Sequence, residues 1–297
     1  MKNKSLYASL LVMVLWGSLF PMIKVGYGAF GISSVGDILA FAGMRFLICG
    51  VIITLFCLIR NPAACRISCK ELGGVLLCGV FSIILHYACT YIGLNLTGGS
   101  KTAIIKQLGA VFYICFSALF FADDKLTVHK VIGLLLGLGG IIAINTTSQG
   151  VSFQWGDLLI IGASFCTVFA NVVGKKATQS VEPVVMTGIS QLFGGAVLLA
   201  VGLACGGKLT HVVPTTPTQL GVFSVILVLS TASYCVWYMV VQKEKLSRLF
   251  IIKFSEPLFA AVFSWLLLGE NVWRLNYLVA FLLISGGILV ANIRKKA

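Results

Sequence analysis

Ten apolar runs, each about the length that hydrocarbon demands, follow one another along this chain. They cover 6–26, 38–59, 72–94, 101–121, 127–146, 156–174, 184–205, 219–241, 249–269 and 275–293. A helix crossing a bilayer needs roughly 17–25 mostly apolar residues, because only an internally hydrogen-bonded backbone is tolerated there. The pattern predicts an all-α integral membrane protein with ten transmembrane helices, neighbours antiparallel across short gaps. Composition agrees: 59% of the 297 residues are apolar and 10% charged. A soluble domain holds about 45–50% and about 25% respectively. Lys2 and Lys4 before the first run resemble the start of a signal peptide, but nine further runs follow without an evident small-residue cleavage site. That run is read as helix 1.

The net charge of +13 suggests nucleic acid until its distribution is considered. The basic residues sit mostly in the short gaps, with no patch interleaved with exposed aromatics, so no nucleic-acid partner is expected. With the N-terminus in the cytoplasm, fifteen Lys and Arg fall inside, from Lys2 to Lys296, and only Lys208 and Arg274 outside. This bias predicts a multi-pass protein of the cell (cytoplasmic) membrane with both termini cytoplasmic. Compact loops favour a bacterial membrane. Lys24, Arg45, Lys101, Lys106 and Lys253 are left within the spans.

Six of the ten cysteines, Cys49, Cys78, Cys89, Cys115, Cys166 and Cys235, lie inside apolar runs, where they act as small hydrophobes. Cys65 and Cys69 flank Arg66 without two further ligands nearby, so no metal, cofactor or disulfide framework is expected.

The two halves match at an offset of 147 residues. Gly139-Gly140-Ile141-Ile142-Ala143-Ile144-Asn145 aligns with Gly286-Gly287-Ile288-Leu289-Val290-Ala291-Asn292. Lys106 meets Lys253, Lys101 meets Arg248 and Asp123 meets Glu270, while an offset of 146 pairs Arg45 with Gln191. Each half, 1–147 and 148–297, holds five helices. Five is odd, so the second half enters the membrane inverted, giving a 5+5 arrangement with a substrate site near the midplane.

Particular segments then point to a family. Leu15-Trp16-Gly17-Ser18-Leu19-Phe20 with Lys24 opens helix 1, Met44-Arg45-Phe46 lies in helix 2, and Gly93-Leu94-Asn95-Leu96-Thr97 precedes helix 4. Ser255-Glu256-Pro257-Leu258-Phe259, Leu268-Gly269-Glu270 and a glycine-rich last helix follow. Over essentially its whole length the chain resembles EamA-type members of the drug/metabolite transporter superfamily. The resemblance implies two EamA-like five-helix repeats forming a carrier for a small metabolite. Two departures stand out in the first half. Ala110 occupies the place of a usual proline, predicting a less kinked helix 4, and Gly109 and Asp123-Asp124 replace the acidic residues of the second copy.

Ionisable groups inside a bilayer are costly and default to functional hypotheses. Lys106 and Lys253, each preceded by Ile-Ile, are expected to converge on one cavity from opposite leaflets; the alternative is snorkelling toward the nearer surface. Two facing ammonium groups call for an anion between them, hence a substrate with a carboxylate or phosphate. Plastid phosphate translocators, distant members of the superfamily, use basic residues in their central site, which is an analogy. Glu256, three residues after Lys253 on the same face, either neutralises that lysine, suiting a zwitterion, or couples transport to protons. Arg45 is placed in the cavity too, and with Lys24 and Lys101 it could form an outer vestibule. His86 is read as hydrogen-bonded structure or a coupling group. Tyr87, Tyr91, Tyr113, Gln191, Tyr234 and Trp237 are further cavity candidates, against the plain reading of packing or an interface belt. Gly133, Gly137 and Gly140 predict close helix packing, and Gly98-Gly99-Ser100 a turn.

The expected function is a secondary transporter of a small anionic or zwitterionic organic metabolite, working by alternating access with exchange or proton coupling. The runner-up is an exporter of amino acids or amphipathic toxic compounds. An integral-membrane enzyme lacks support, since no Ser-His-Asp set, zinc-binding histidine cluster or paired catalytic carboxylates are seen. This chain contains no nucleotide-binding domain.

Overall fold

A computed structural model describes residues 3–96, 105–145, 154–269 and 275–292. Among these residues all regular structure is helical. The helices are α1 (Asn3–Phe30), α2 (Val35–Arg60), α3 (Cys69–Gly79), α4 (His86–Leu96), α5 (Leu108–Phe120), α6 (Val128–Asn145), α7 (Trp155–Ala177), α8 (Pro183–Ala204), α9 (Pro217–Lys243), α10 (Leu246–Lys253), α11 (Glu256–Leu268) and α12 (Leu275–Asn292). A π-helical turn, Val80–Leu85, joins α3 to α4, and two residues join α10 to α11. Seven helical spans are long and apolar enough to cross a membrane: Lys4–Phe30, Val35–Arg60, Cys69–Gly93, Trp155–Ala177, Pro183–Ala204, Pro217–Lys243 and Leu246–Leu268. Leu108–Phe120, Val128–Ala143 and Leu275–Ala291 are shorter apolar helices. The protein is therefore a multi-pass membrane protein.

Local chemistry explains many boundaries. Ser34 caps α2 by accepting from the Asp37 amide, and Ser68 with Glu71 forms a reciprocal box at α3. Pro183 and Pro217 begin α8 and α9, where a missing N–H costs nothing. Gly269 ends α11 at φ +68°, a conformation that disfavours a side chain.

Glycines set the packing. Gly36, Gly43 and Gly50 recur every seven residues on α2, as do Gly188, Gly195 and Gly202 on α8. A methyl group on Gly43 would overlap the Leu199 backbone; on Gly50, that of Leu192; on Gly195, that of Leu47; on Gly202, that of Ala40. The two helices run antiparallel with their backbones touching. In lipid, where apolar side chains gain little by leaving hydrocarbon, such approach supplies the van der Waals energy of association. The expected close packing of helix 5 is also present. Gly133 and Gly140 on α6 meet α12 at Gly287 and Ile284, and Gly137 receives the Phe254 ring.

Helices 4 and 9 are interrupted at matching places. In helix 9, Pro257 cannot donate to the Lys253 carbonyl, and Ser255 stands at φ −77°, ψ −16° before α11. In helix 4, Gln107 takes φ −79°, ψ −14° before α5 without any proline nearby. The expectation that Ala110 would leave helix 4 less kinked is corrected, because Phe116 (φ −111°, ψ 17°) is a further non-helical point. The neighbouring Gly109 lies against the Ser164 carbonyl so closely that a Cβ would overlap it. Helix 4 is thus interrupted without a proline, where Gly109 allows close approach to α7.

One end of the bundle is closed by a buried carboxylate. Asp124, 1% exposed, lies in the loop between α5 and α6. It accepts from Tyr113 Oη at 3.0 Å, Lys130 Nζ at 2.6 Å, Ser247 Oγ at 2.5 Å and the Ser247 amide at 3.1 Å. Ser247 belongs to α10, so the carboxylate joins helix 4 to helix 9. Tyr113 also stacks on Phe120 and packs against Phe250. Lys245 reinforces the joint by donating to the Asp123 carbonyl, its Nζ 3.6 Å from the Asp123 carboxylate. At another loop Asp37 accepts from the Lys208 amide at 2.8 Å and pairs with His211 at 3.2 Å, tying α2 to the segment after α8.

Two predictions follow from this packing. Gly50→Val should lower the melting temperature sharply or abolish folded yield in detergent, since overpacking costs about 1–3 kcal/mol or more against immovable backbone. Gly28→Ala, with nothing within 4 Å of its added methyl, should be neutral or stabilise by about 0.5–1 kcal/mol. For Asp124, burial pushes the carboxyl upward, but hydrogen bonds from Lys130 and Ser247 outweigh it and hold it below the usual range. A carboxyl lowered in the folded state stabilises fully above its unfolded value of about 3.9 and loses that contribution as pH falls through the folded value. The wild-type melting temperature should therefore drop in that acid window. Asp124→Asn should start lower at neutral pH and show a flatter acid limb.

Candidate functional site

The breaks in helices 4 and 9 position the two lysines. Lys106 sits in the turn just before α5 and Lys253 ends α10, so each lies where its helix is interrupted. Lys253 Nζ stands 5.0 Å from the centre of the Trp16 ring, and Lys106 Nζ 5.9 Å from that of Phe20, both rings on α1. Lys106 is within electrostatic range of Lys253 and Glu256, and His86 of both lysines. Both lysines are half-buried, and no carboxylate lies within ion-pair distance of either among the described residues. The pairing of Glu256 with Lys253 does not form as a direct contact. Glu256 instead opens α11, where an acidic group meets the positive end of the helix dipole.

An aromatic chain runs on from Trp16. Trp16 contacts Trp237 at 5.0 Å and Tyr234 at 5.6 Å, both on α9. Tyr234 shares a 3.0 Å hydrogen bond with Tyr87 on α4 and meets Phe46 edge-on at 5.6 Å. Arg45 completes the series, its guanidinium 4.2 Å from the Phe46 ring centre and 5.5 Å from that of Tyr87. Arg45 is 1% exposed, and its Nε and Nη2 have no hydrogen-bond partner among the described residues. Aromatic faces compensate a buried cation only partly, about 2 kcal/mol or more when desolvated. Open guanidinium donors in a buried site are costly, since charged groups lose more than neutral ones when left unsatisfied.

The remaining candidates divide. His86 directly follows the π-helical turn, a feature common at functional sites. Its Nδ1 lies 3.1 Å from both the Ala163 carbonyl and the Thr167 hydroxyl, which pins the ring to α7. It packs edge-on to Tyr87, and Tyr91 packs against the same Tyr87 ring at 5.6 Å. Trp237 is buried and donates at 2.8 Å to Asn171 Oδ1, whose Nδ2 is held by the Thr167 carbonyl. Gln191, on α8, is buried with neither amide atom partnered among the described residues. Tyr113 belongs elsewhere, in the Asp124 closure. Lys24 is exposed on α1, while Lys101 and Gly98-Gly99-Ser100 lie outside the described residues. Sequence reasoning passed over Asn171, and took Trp16, Phe20 and Phe46 only as parts of a family signature. Helical position gives little sign of which apolar face turns toward a cation.

The comparisons with known proteins agree with this architecture. A solved structure titled "Crystal structure of protein" superposes with a TM-score of 0.80 over 98% of this chain and 97% of its own, at 16% identity, which establishes likeness of fold. The uncharacterized inner membrane transporter YedA of Escherichia coli K12 is 25% identical, covering 93% of this chain and 87% of YedA. The uncharacterized transporter YvbV of Bacillus subtilis is 26% identical over 96% and 90%. An uncharacterized transporter of Archaeoglobus fulgidus is 23% identical over 88% of each. The profile of the EamA-like transporter family matches residues 3–146 and again 154–292, so nearly the whole chain is accounted for, and the protein belongs to the EamA-like transporter family.

Proposed function

We propose that the protein is a ten-span secondary carrier of a small organic anion or zwitterion, built as inverted five-helix halves, 1–147 and 148–297. The observation that carries this reading is the charge balance at the centre. Lys106 and Lys253 lie within electrostatic range of each other beside Phe20 and Trp16, and Arg45 ends the aromatic chain that runs on from Trp16. None of the three has an ion pair among the described residues, and Glu256 is within electrostatic range of Lys106. Unpaired cations in a membrane interior are expensive, and a carboxylate or phosphate of the substrate would relieve that cost. The seven apolar spans and three shorter apolar helices are consistent with ten crossings, and the basic loops with cytoplasmic termini.

The interrupted helices suit alternating access. Their broken turns are flexible points beside the lysines, and the Asp124–Ser247 joint closes one end. Rocking of the halves would break that joint once per cycle, as the bundle opens there and closes opposite. Exchange or proton coupling would supply the driving force, with Glu256 as the proton-accepting group in the second case. The amino-acid exporter reading is favoured by one feature: Glu256 lies within electrostatic range of Lys106, so it could receive an ammonium while that lysine holds a carboxylate.

The test is a melting screen of purified protein against metabolites grouped by charge, followed by counterflow uptake in liposomes. Stabilising carboxylates or phosphates should bind about 10–100-fold more weakly to Arg45→Gln, Lys106→Gln and Lys253→Gln, the loss of a charge-assisted hydrogen bond worth about 1.5–3 kcal/mol. Stabilisation solely by cationic or neutral compounds, unchanged in these variants, would sink the anion reading.

A further inference from the structure

A second basic site lies at the closed end, away from the central aromatic chain. A cavity of about 670 Å³ opens between the loop joining α5 to α6 and the starts of α6 and α10, with Ala291 of α12 in its wall. Lys125, Lys130, Lys245, Arg248 and His129 line it, against Asp123. Two of these cations already have partners. Lys130 is held by Asp124 at 2.6 Å and by the Lys125 carbonyl at 2.5 Å, and Lys245 faces Asp123 at 3.6 Å. Lys125 is exposed and Arg248 half-buried, and neither makes an ion pair among the described residues. The Nε of Arg248 is fully buried with no hydrogen-bond partner there. An unsatisfied guanidinium donor is costly, and an oxyanion is what would satisfy it.

Position narrows the ligand. The cavity lies at helix ends, hence at the depth of lipid headgroups, and basic pockets between transmembrane helices at that depth receive phosphorylated headgroups. Two helices, α6 and α10, also begin beside it and present the positive ends of their dipoles. We propose that this cavity binds a phosphate group, with Arg248 and Lys125 as its ligands. A lipid phosphodiester or a free phosphate would offer the same oxygens. A phosphate held here would also sit beside Lys130 and Lys245, the two lysines of the Asp123–Asp124 joint, and so would bias closure of this end. The site does not depend on which substrate the carrier moves.

The test uses the full chain in phosphatidylcholine nanodiscs, with melting temperature as the readout. One arm adds phosphatidylglycerol to the bilayer. A second adds inorganic phosphate to pure phosphatidylcholine, with chloride at matched ionic strength as its control. At least one arm should raise the melting temperature by several degrees, and the rise should be lost in Arg248→Gln and Lys125→Gln but kept in Arg66→Gln. A response to phosphatidylglycerol alone assigns the lipid, and one to inorganic phosphate assigns the free anion. Both variants leave the Lys130–Asp124 pair intact, and Lys125 is a surface residue, so at least one variant is expected to fold. No rise in either arm, or an equal rise in both variants, would overturn the proposal.

Discussion

The contact on which the rest of this structure depends is the backbone-to-backbone approach of α2 and α8. Glycines at seven-residue intervals on both helices remove the side chains that would hold them apart. Hydrocarbon offers no hydrophobic gain for moving leucine from lipid to protein, so association rests on dispersion and on hydrogen bonds such as those of Asp37. Arg45 lies on α2 between Gly43 and Gly50, and Gln191 lies on α8 between Gly188 and Gly195. The close contact therefore fixes the backbone that carries both buried polar side chains. This seam is continuous, whereas helices 4 and 9 are interrupted.

Those interruptions connect fold to chemistry. Each interrupts the backbone ladder within an apolar segment, which lipid tolerates only where protein or a cavity satisfies the freed groups. Each also carries a lysine, so backbone interruption and charge coincide. At one end the same two helices are locked by Asp124, which gathers Tyr113, Lys130 and Ser247. A buried carboxylate with four donors is stable while all four are present, and separating α5 from α10 removes the Ser247 donors. In the carrier reading proposed above, that loss would make opening of this end a switch between two arrangements rather than a gradual deformation.

Much of this was legible in sequence. The apolar runs anticipated the helices within a few residues; 184–205 became Pro183–Ala204, for instance, because hydrocarbon thickness and end-capping residues act locally. Pro257 announced the break in helix 9. The break in helix 4 had no such sign; it lies beside Gly109, which fits against Ser164, a contact between distant segments. Tyr113 illustrates the same limit. As an aromatic in a span it suited a cavity wall, yet Asp124, eleven residues away, claims its hydroxyl.

By itself the sequence determined that this is a helical membrane protein, roughly where its apolar spans lie, and which ionisable groups fall inside them. These properties depend on hydropathy and caps, which act over a few residues. Tertiary structure decided which of those groups meet. It brought Arg45 against Phe46 and Tyr87, set Lys253 over Trp16, and turned the Asp123-Asp124 loop into a joint with a basic cavity behind it. The reason is geometric: the face a membrane helix presents to its partner is set by where glycines let backbones touch, and that depends on two segments at once.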